Sequence, residues 1–111
     1  MSAAMEPLGV HHVSINVRDA AEGVAFFTEV LGLTVRVDRP DFRFGGAWLD
    51  IGGQQVHLIE AEVPDDCGQH FAIYVADIDA AVTALRQRGV EVSDPSGNLI
   101  ELHEPSISIE V

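Results

Sequence analysis

Apolar and polar residues alternate in several short runs along the chain. In His12-Val13-Ser14-Ile15-Asn16-Val17 the apolar side chains fall on positions 13, 15 and 17, and His12, Ser14 and Asn16 take the opposite parity. A strand reading follows over Val10 to Val17, because alternate strand residues point to opposite faces. Asp19 is placed to cap a helix, with Glu22 in capping-box position. Ala20, Val24, Phe27 and Leu31 then recur at helical spacing, and Gly32 provides the stop. Further strands are predicted over Leu33 to Asp38, over Phe42 to Leu49 with Ile51, and over Gln54 to Glu62. The first two are separated by a turn at Pro40-Asp41, and Gly52-Gly53 makes a hairpin before the third.

The pattern restarts after a polar linker, Pro64-Asp65-Asp66-Cys67-Gly68. His70 to Val75 alternates like the first strand, with Phe71, Ile73 and Val75 apolar. Asp77 or Asp79 caps a second helix carrying Ile78, Val82 and Leu85, and Gly89 ends it. A short strand is expected at Val90-Glu91-Val92, a turn at residues 94–98, and a last strand over Leu99 to Glu104. The tail alternates Ile107, Ile109 and Val111, which suits an edge strand or an arm crossing to a partner.

The two halves match by offset. Seven steps separate His12 from Asp19, and seven separate His70 from Asp77. The halves also end alike, in Val56-His57-Leu58 and Ile100-Glu101-Leu102. They differ in length, since His12 to His57 spans 45 residues and His70 to Glu101 only 31. The second half is therefore shorter by about one strand and its turn. The fold class expected is α+β, with a first module over about 9–62 and a second over about 69–105, in one domain covering 1–111.

Four polar residues occupy strand positions with apolar neighbours: His12, His57, His70 and Glu101. If the apolar faces lie under the helices, these four share the other face. Imidazole and carboxylate donors together suit Zn, Ni, Co, Mn or Fe(II). Such an ion, left with open positions, polarises a substrate oxygen. Glu60 and His11 fall on the packing parity and read as rim or surface residues. His103 shares the parity of Glu101 and reads as a supporting or pocket-rim group. Trp48, Phe44 and Tyr74 are candidate pocket walls.

Composition removes other classes of function. The formal net charge is -12, from 18 acidic and 6 basic side chains. Nucleic acids and anionic membranes are disfavoured, because both call for a basic surface. No apolar run is long enough to span a bilayer, and the first ten residues lack the basic and apolar regions of a signal peptide. A cytoplasmic protein is the expectation. Cys67 is the sole cysteine, so no internal disulfide forms, and its acidic surroundings give no means of lowering its pKa.

Three stretches, HHVSINVRD with FFTEVLGL, WLDIGGQQVHLIE and DPSGNLIELHEP, make the chain resemble the vicinal oxygen chelate superfamily. That group includes glyoxalase I, methylmalonyl-CoA epimerase, extradiol dioxygenases, fosfomycin-resistance enzymes and bleomycin-resistance proteins. The resemblance implies two βαβββ modules forming a cupped mixed sheet around one divalent metal ion, a small-molecule substrate and a homodimer. It places the family's ligands on His12, His57, His70 and Glu101, with Glu101 also moving the substrate proton. Glyoxalase I typically has Glu where this chain has His57, so a symmetric two-carboxylate proton shuttle is unavailable. Three activities fit the resemblance: a glyoxalase-type lyase or isomerase, an Fe(II) dioxygenase using His12, His70 and Glu101, and a non-catalytic drug or metabolite binder.

Overall fold

The structure, a computed structural model, describes residues 5–90 and 93–105. Its order is β1 (His12–Val17), α1 (Ala20–Ala25), β2 (Thr34–Val35), β3 (Gly46–Ile51), β4 (Gln54–Glu60), β5 (His70–Tyr74), α2 (Ile78–Gln87) and β6 (Leu99–His103). The class is α+β, as expected. Among the described residues the strands form two sheets. The first is four-stranded, in the order β1-β4-β3-β2, and mixes a parallel β1–β4 pair with antiparallel neighbours. The second is a parallel β5–β6 pair.

Three sequence expectations change at their edges. The predicted strand from Leu33 to Asp38 survives only as Thr34–Val35; beyond it Arg36 N–H still donates to the Trp48 carbonyl at 2.8 Å, and its guanidinium pairs with Asp38 and Asp50, at 2.9 and 2.7 Å. The strand expected from Phe42 begins at Gly46, and residues 42–45 form an exposed loop in front of it. The first helix does not stay α-helical to Leu31. From Phe26 to Val30 it widens into a π-helical turn, in which Leu31 N–H reaches back to the Phe26 carbonyl. This turn buries Phe26 and Phe27 side by side. The expected strand at 90–92 and the alternating tail 106–111 lie wholly or largely outside the described residues.

The core forms where the alternation placed it. Val17, Phe27, Leu49, Val56 and Leu58 are essentially inaccessible, and Ile73 and Ile100 extend the cluster into the second sheet. Two glycines allow the close approach. A Cβ on Gly23 would press on Leu58 Cδ1 at 3.1 Å, so α1 lies flat against β4. A Cβ on Gly46 would overlap the Leu58 carbonyl oxygen, so β3 can pair with β4 there only through glycine.

The two halves repeat in detail. His57 lies in register with Ser14, two residues past His12, and Glu101 lies in register with Ala72, two residues past His70. Each helix is capped twice. Asp19 accepts from Glu22 N–H at 2.9 Å and Asp77 from Ala80 N–H at 3.0 Å. In addition, Glu60 accepts from Ala20 N–H at 2.8 Å and Glu104 from Ile78 N–H at 2.7 Å. Each of these glutamates stands three residues after the candidate ligand on its strand, so the strand that presents the ligand also fixes the helix start. The halves are tied through buried Asp94, which accepts from Ser96 N–H, Asn98 N–H and the Asn98 amide. Held in this way, Asn98 donates to the Asn16 carbonyl at the end of β1.

Candidate functional site

The four candidate residues lie on the faces turned away from the helices, and the structure gathers them as two pairs. His12 and His57 form the first, on neighbouring strands β1 and β4. Their rings stack with centroids 3.9 Å apart and planes 12° from parallel. Trp48 covers the other face of His57 at 4.5 Å, and His57 is buried between the two rings. Its Nε2 is 2.8 Å from Gln55 Oε1, so Nε2 carries the proton donated to that amide. Burial pushes the His57 pKa down, and the neighbouring charges of His12, His11, Arg36 and Arg39 act in the same direction. His57 is thus a neutral imidazole near pH 7. His12 is more exposed, and its Nδ1 lies 2.9 Å from His11 Nδ1.

His70 and Glu101 form the second pair, on β5 and β6. His70 Nδ1 donates to the Gly68 carbonyl at 2.9 Å, and its Nε2 stands 3.0 Å from Glu101 Oε2. The bond to Gly68 raises the His70 pKa; partial burial opposes it and the Glu101 charge reinforces it. The other oxygen, Oε1, lies 3.2 Å from His103 Nε2. His103, read from its parity as a supporting or pocket-rim group, thus touches the candidate ligand Glu101. Glu60, read from its parity as a rim or surface residue, is exposed and also caps the first helix. The matching offset of Glu104 was the signal that would have assigned it.

The pairs are not gathered into one cluster within the chain. Among the described residues no group of three or more His, Cys, Asp or Glu side chains is placed to hold a metal ion. A cleft of about 370 Å³ separates the sheets, with His12, Val13 and Gln55 on one wall and Phe71 to Tyr74 on the other. A larger cavity, about 500 Å³, lies on the helix side among Phe26, Leu31, Ile78, Val82 and Leu85, and no imidazole or carboxylate lines it. The candidate imidazoles and carboxylate therefore lie away from this cavity.

The donor types fit a divalent ion. A ligating histidine ordinarily gives its other ring N–H to a carbonyl or carboxylate, as His70 gives Nδ1–H to Gly68. With Nδ1 protonated, the Nε2 lone pair would face a carboxylate oxygen unless a proton or a cation lay there. In the first pair only one ring at a time can ligate as placed. Imidazole lone pairs lie in the ring plane, and two stacked, nearly parallel planes do not converge on one ion.

Comparison with known proteins agrees with this architecture. Residues 9–98 match the model of the Glyoxalase/Bleomycin resistance protein/Dioxygenase superfamily, and the chain belongs to that superfamily. It is 33% identical over 118 residues to a 2-epi-5-epi-valiolone epimerase of Actinomyces, covering 79% of this chain and 64% of the epimerase. The chain thus spans a little under two thirds of that relative's length. It is 30% identical over 122 residues to the uncharacterized protein YaeR of Escherichia coli K12, covering 86% of this chain and 95% of YaeR. Among solved structures, the fosfomycin resistance protein FosX of Listeria monocytogenes, complexed with Mn(II) and 1S,2S-dihydroxypropylphosphonic acid, shares the fold. Its TM-score is 0.77 at 17% identity, over 92% of this chain and 95% of FosX. No helix among the described residues is long and apolar enough to cross a membrane.

Proposed function

We propose that the protein is a divalent-metal-dependent, glyoxalase-type lyase or isomerase of a small molecule, working in the cytoplasm as a homodimer. His12, His57, His70 and Glu101 are the candidate ligands; with the two rings stacked as they are, one of His12 and His57 at a time would join His70 and Glu101 on an ion of the Zn, Ni, Co, Mn or Fe(II) kind. When bound, the ion would polarise two neighbouring substrate oxygens. The observation that carries this reading is His70, with Nδ1 tied to Gly68 and Nε2 turned onto Glu101. The Mn(II) in FosX and the epimerase among the relatives support it.

Glu101 is the one carboxylate of the set and takes the substrate proton. His103, on its second oxygen, holds the carboxylate in orientation. Buried, neutral His57 with Trp48 walls off one side of the site and keeps water from it. Because each chain shows two pairs and not one cluster, the reading assigns each complete site to two chains, the first pair of one facing the second pair of its partner. Elemental analysis of the purified protein tests the metal directly. A stoichiometric divalent ion, or an ion that raises the melting temperature when added, is expected. Absence of both overturns the reading.

A second reading is favoured by one observation, the engagement of His57 with Gln55 and Trp48. His12, His70 and Glu101 alone make the two-histidine, one-carboxylate set of Fe(II) oxygenases, with His57 as a wall. Oxygen uptake with a catechol after anaerobic iron loading would select this reading, and no uptake would remove it.

A further inference from the structure

The open face of the first sheet carries more than the two histidines. Trp48 stacks on His57, and beyond Trp48 the loop before β3 brings in two more rings. Phe42 lies 6.2 Å from Trp48, tilted by 51°, and Phe44 stacks on Phe42 at 5.2 Å with planes 3° apart. Both phenylalanines remain exposed, at 41% and 46%. Arg39 sits over them, its guanidinium carbon 4.9 Å from the Phe42 centroid and 5.6 Å from that of Phe44. An aromatic row thus runs from His12 through His57 and Trp48 to Phe42 and Phe44, with a cation at its outer end.

Among the described residues, two of the six arginines pair with carboxylates, and Arg39, like Arg43 beside it, does not. Arg18 pairs with Glu22, and Arg36 pairs with Asp38 and Asp50. Arg39 has no carboxylate partner among the described residues, although acidic side chains outnumber basic ones 18 to 6. Its one hydrogen bond there runs from Nη2 to the Phe44 carbonyl at 3.0 Å, which leaves most of its N–H donors for another acceptor. Rings exposed to water beside a guanidinium with donors to spare suit a ligand that is flat, apolar on its faces and anionic at one edge.

We propose that Arg39, Phe42, Phe44 and Trp48 form a subsite for an aromatic carboxylate, which sets the class of substrate accepted on this face. The proposal rests on the reading above only in taking this face as the substrate face, and it needs no metal. The rings stack on the arene and favour it over ligands of equal size that are not flat. Arg39 pairs with the carboxylate and favours it over the uncharged amide.

Isothermal titration of metal-free protein with three matched probes tests this: 2-naphthoate, 2-naphthamide and decahydro-2-naphthoate. Stacking and charge pairing of this kind are each worth about fivefold in affinity, so 2-naphthoate is expected to bind tightest of the three by about that factor. Arg39→Gln should remove the preference for acid over amide and keep the preference for flat over saturated. Phe42→Leu with Phe44→Leu should do the reverse. Equal affinity for all three probes in the wild-type protein, or no binding of 2-naphthoate at millimolar concentration, overturns the proposal. So does an unchanged pattern in the variants. Because no metal is present, such a result leaves the metal reading to its own test.

Discussion

The first half of the chain carries its pair of candidate ligands on two strands of a four-stranded sheet, with His57 enclosed between two rings. The second carries its pair on two described strands, with the His70 and Glu101 side chains about half exposed, at 49% and 52%. Nevertheless the strand register, the aspartate cap and the glutamate brace are the same in both. What the halves share is the apparatus that positions one histidine and one partner on adjacent parallel strands. What they do not share is the packing that supports it. The first half has a core of its own, whereas the second borrows its core through Ile73 and Ile100 and is fastened by the Asp94 turn.

Truncating the core should separate the halves most strongly. Leu58→Ala, at a site with no accessible surface to speak of, is expected to cost about 4 kcal/mol, and Ile100→Ala, at the margin of the cluster, about 2 kcal/mol. Urea denaturation measures both. Equal costs would mean that the second sheet has a core as complete as the first. The caps should show the opposite, a likeness. Asp19→Ala and Asp77→Ala are each expected to cost about 1 kcal/mol, since each removes one bond to a helix N–H in the same geometry. A difference of several-fold between them would break the equivalence of the two helix starts.

The smallest effect lies in protonation. In metal-free protein, NMR titration should find His57 protonating below, and His70 above, the ordinary imidazole value of about 6.5. The signs for stability are opposite. The contribution of His70 is fully present below the unfolded-state pKa and is lost as pH rises through its higher folded value. The contribution of His57 is present above the unfolded-state pKa and is lost as pH falls towards its lower folded value. Two histidines titrating together would remove the contrast between an enclosed and an exposed pair.

Much of this was legible in the alternation. The parity of Val13, Ile15 and Val17 gave the buried face of β1, and that of Val56 and Leu58 gave the buried face of β4. Each is a packing choice made by neighbours in sequence. The repeat was legible through offsets, and it led to His12, His57, His70 and Glu101 without any knowledge of strand order. The π-helical turn at Phe26–Val30 was not, because its widening comes from seating two rings against the sheet and leaves the helical spacing nearly intact. The aromatic row was legible only in part: Trp48 and Phe44 read as candidate walls, but Phe42 and Phe44 read as strand residues until Gly46 is seen to begin the strand. Parity also could not show that the two ligand pairs stay apart in one chain. It fixes which face a side chain takes, and the distance between faces depends on how two sheets meet.

That separation bears on the central claim, that two half-sites from two chains complete one metal centre. Metal content after mixing two variants tests it most directly. His12→Ala and Glu101→Ala, each purified alone, should hold little divalent metal. Unfolded together in urea and refolded, they should recover about a quarter of the wild-type content, because half the dimers are mixed and each mixed dimer has one intact site. No recovery in the mixture, from a wild-type protein that does hold metal, would contradict the account and place the whole site within a single chain.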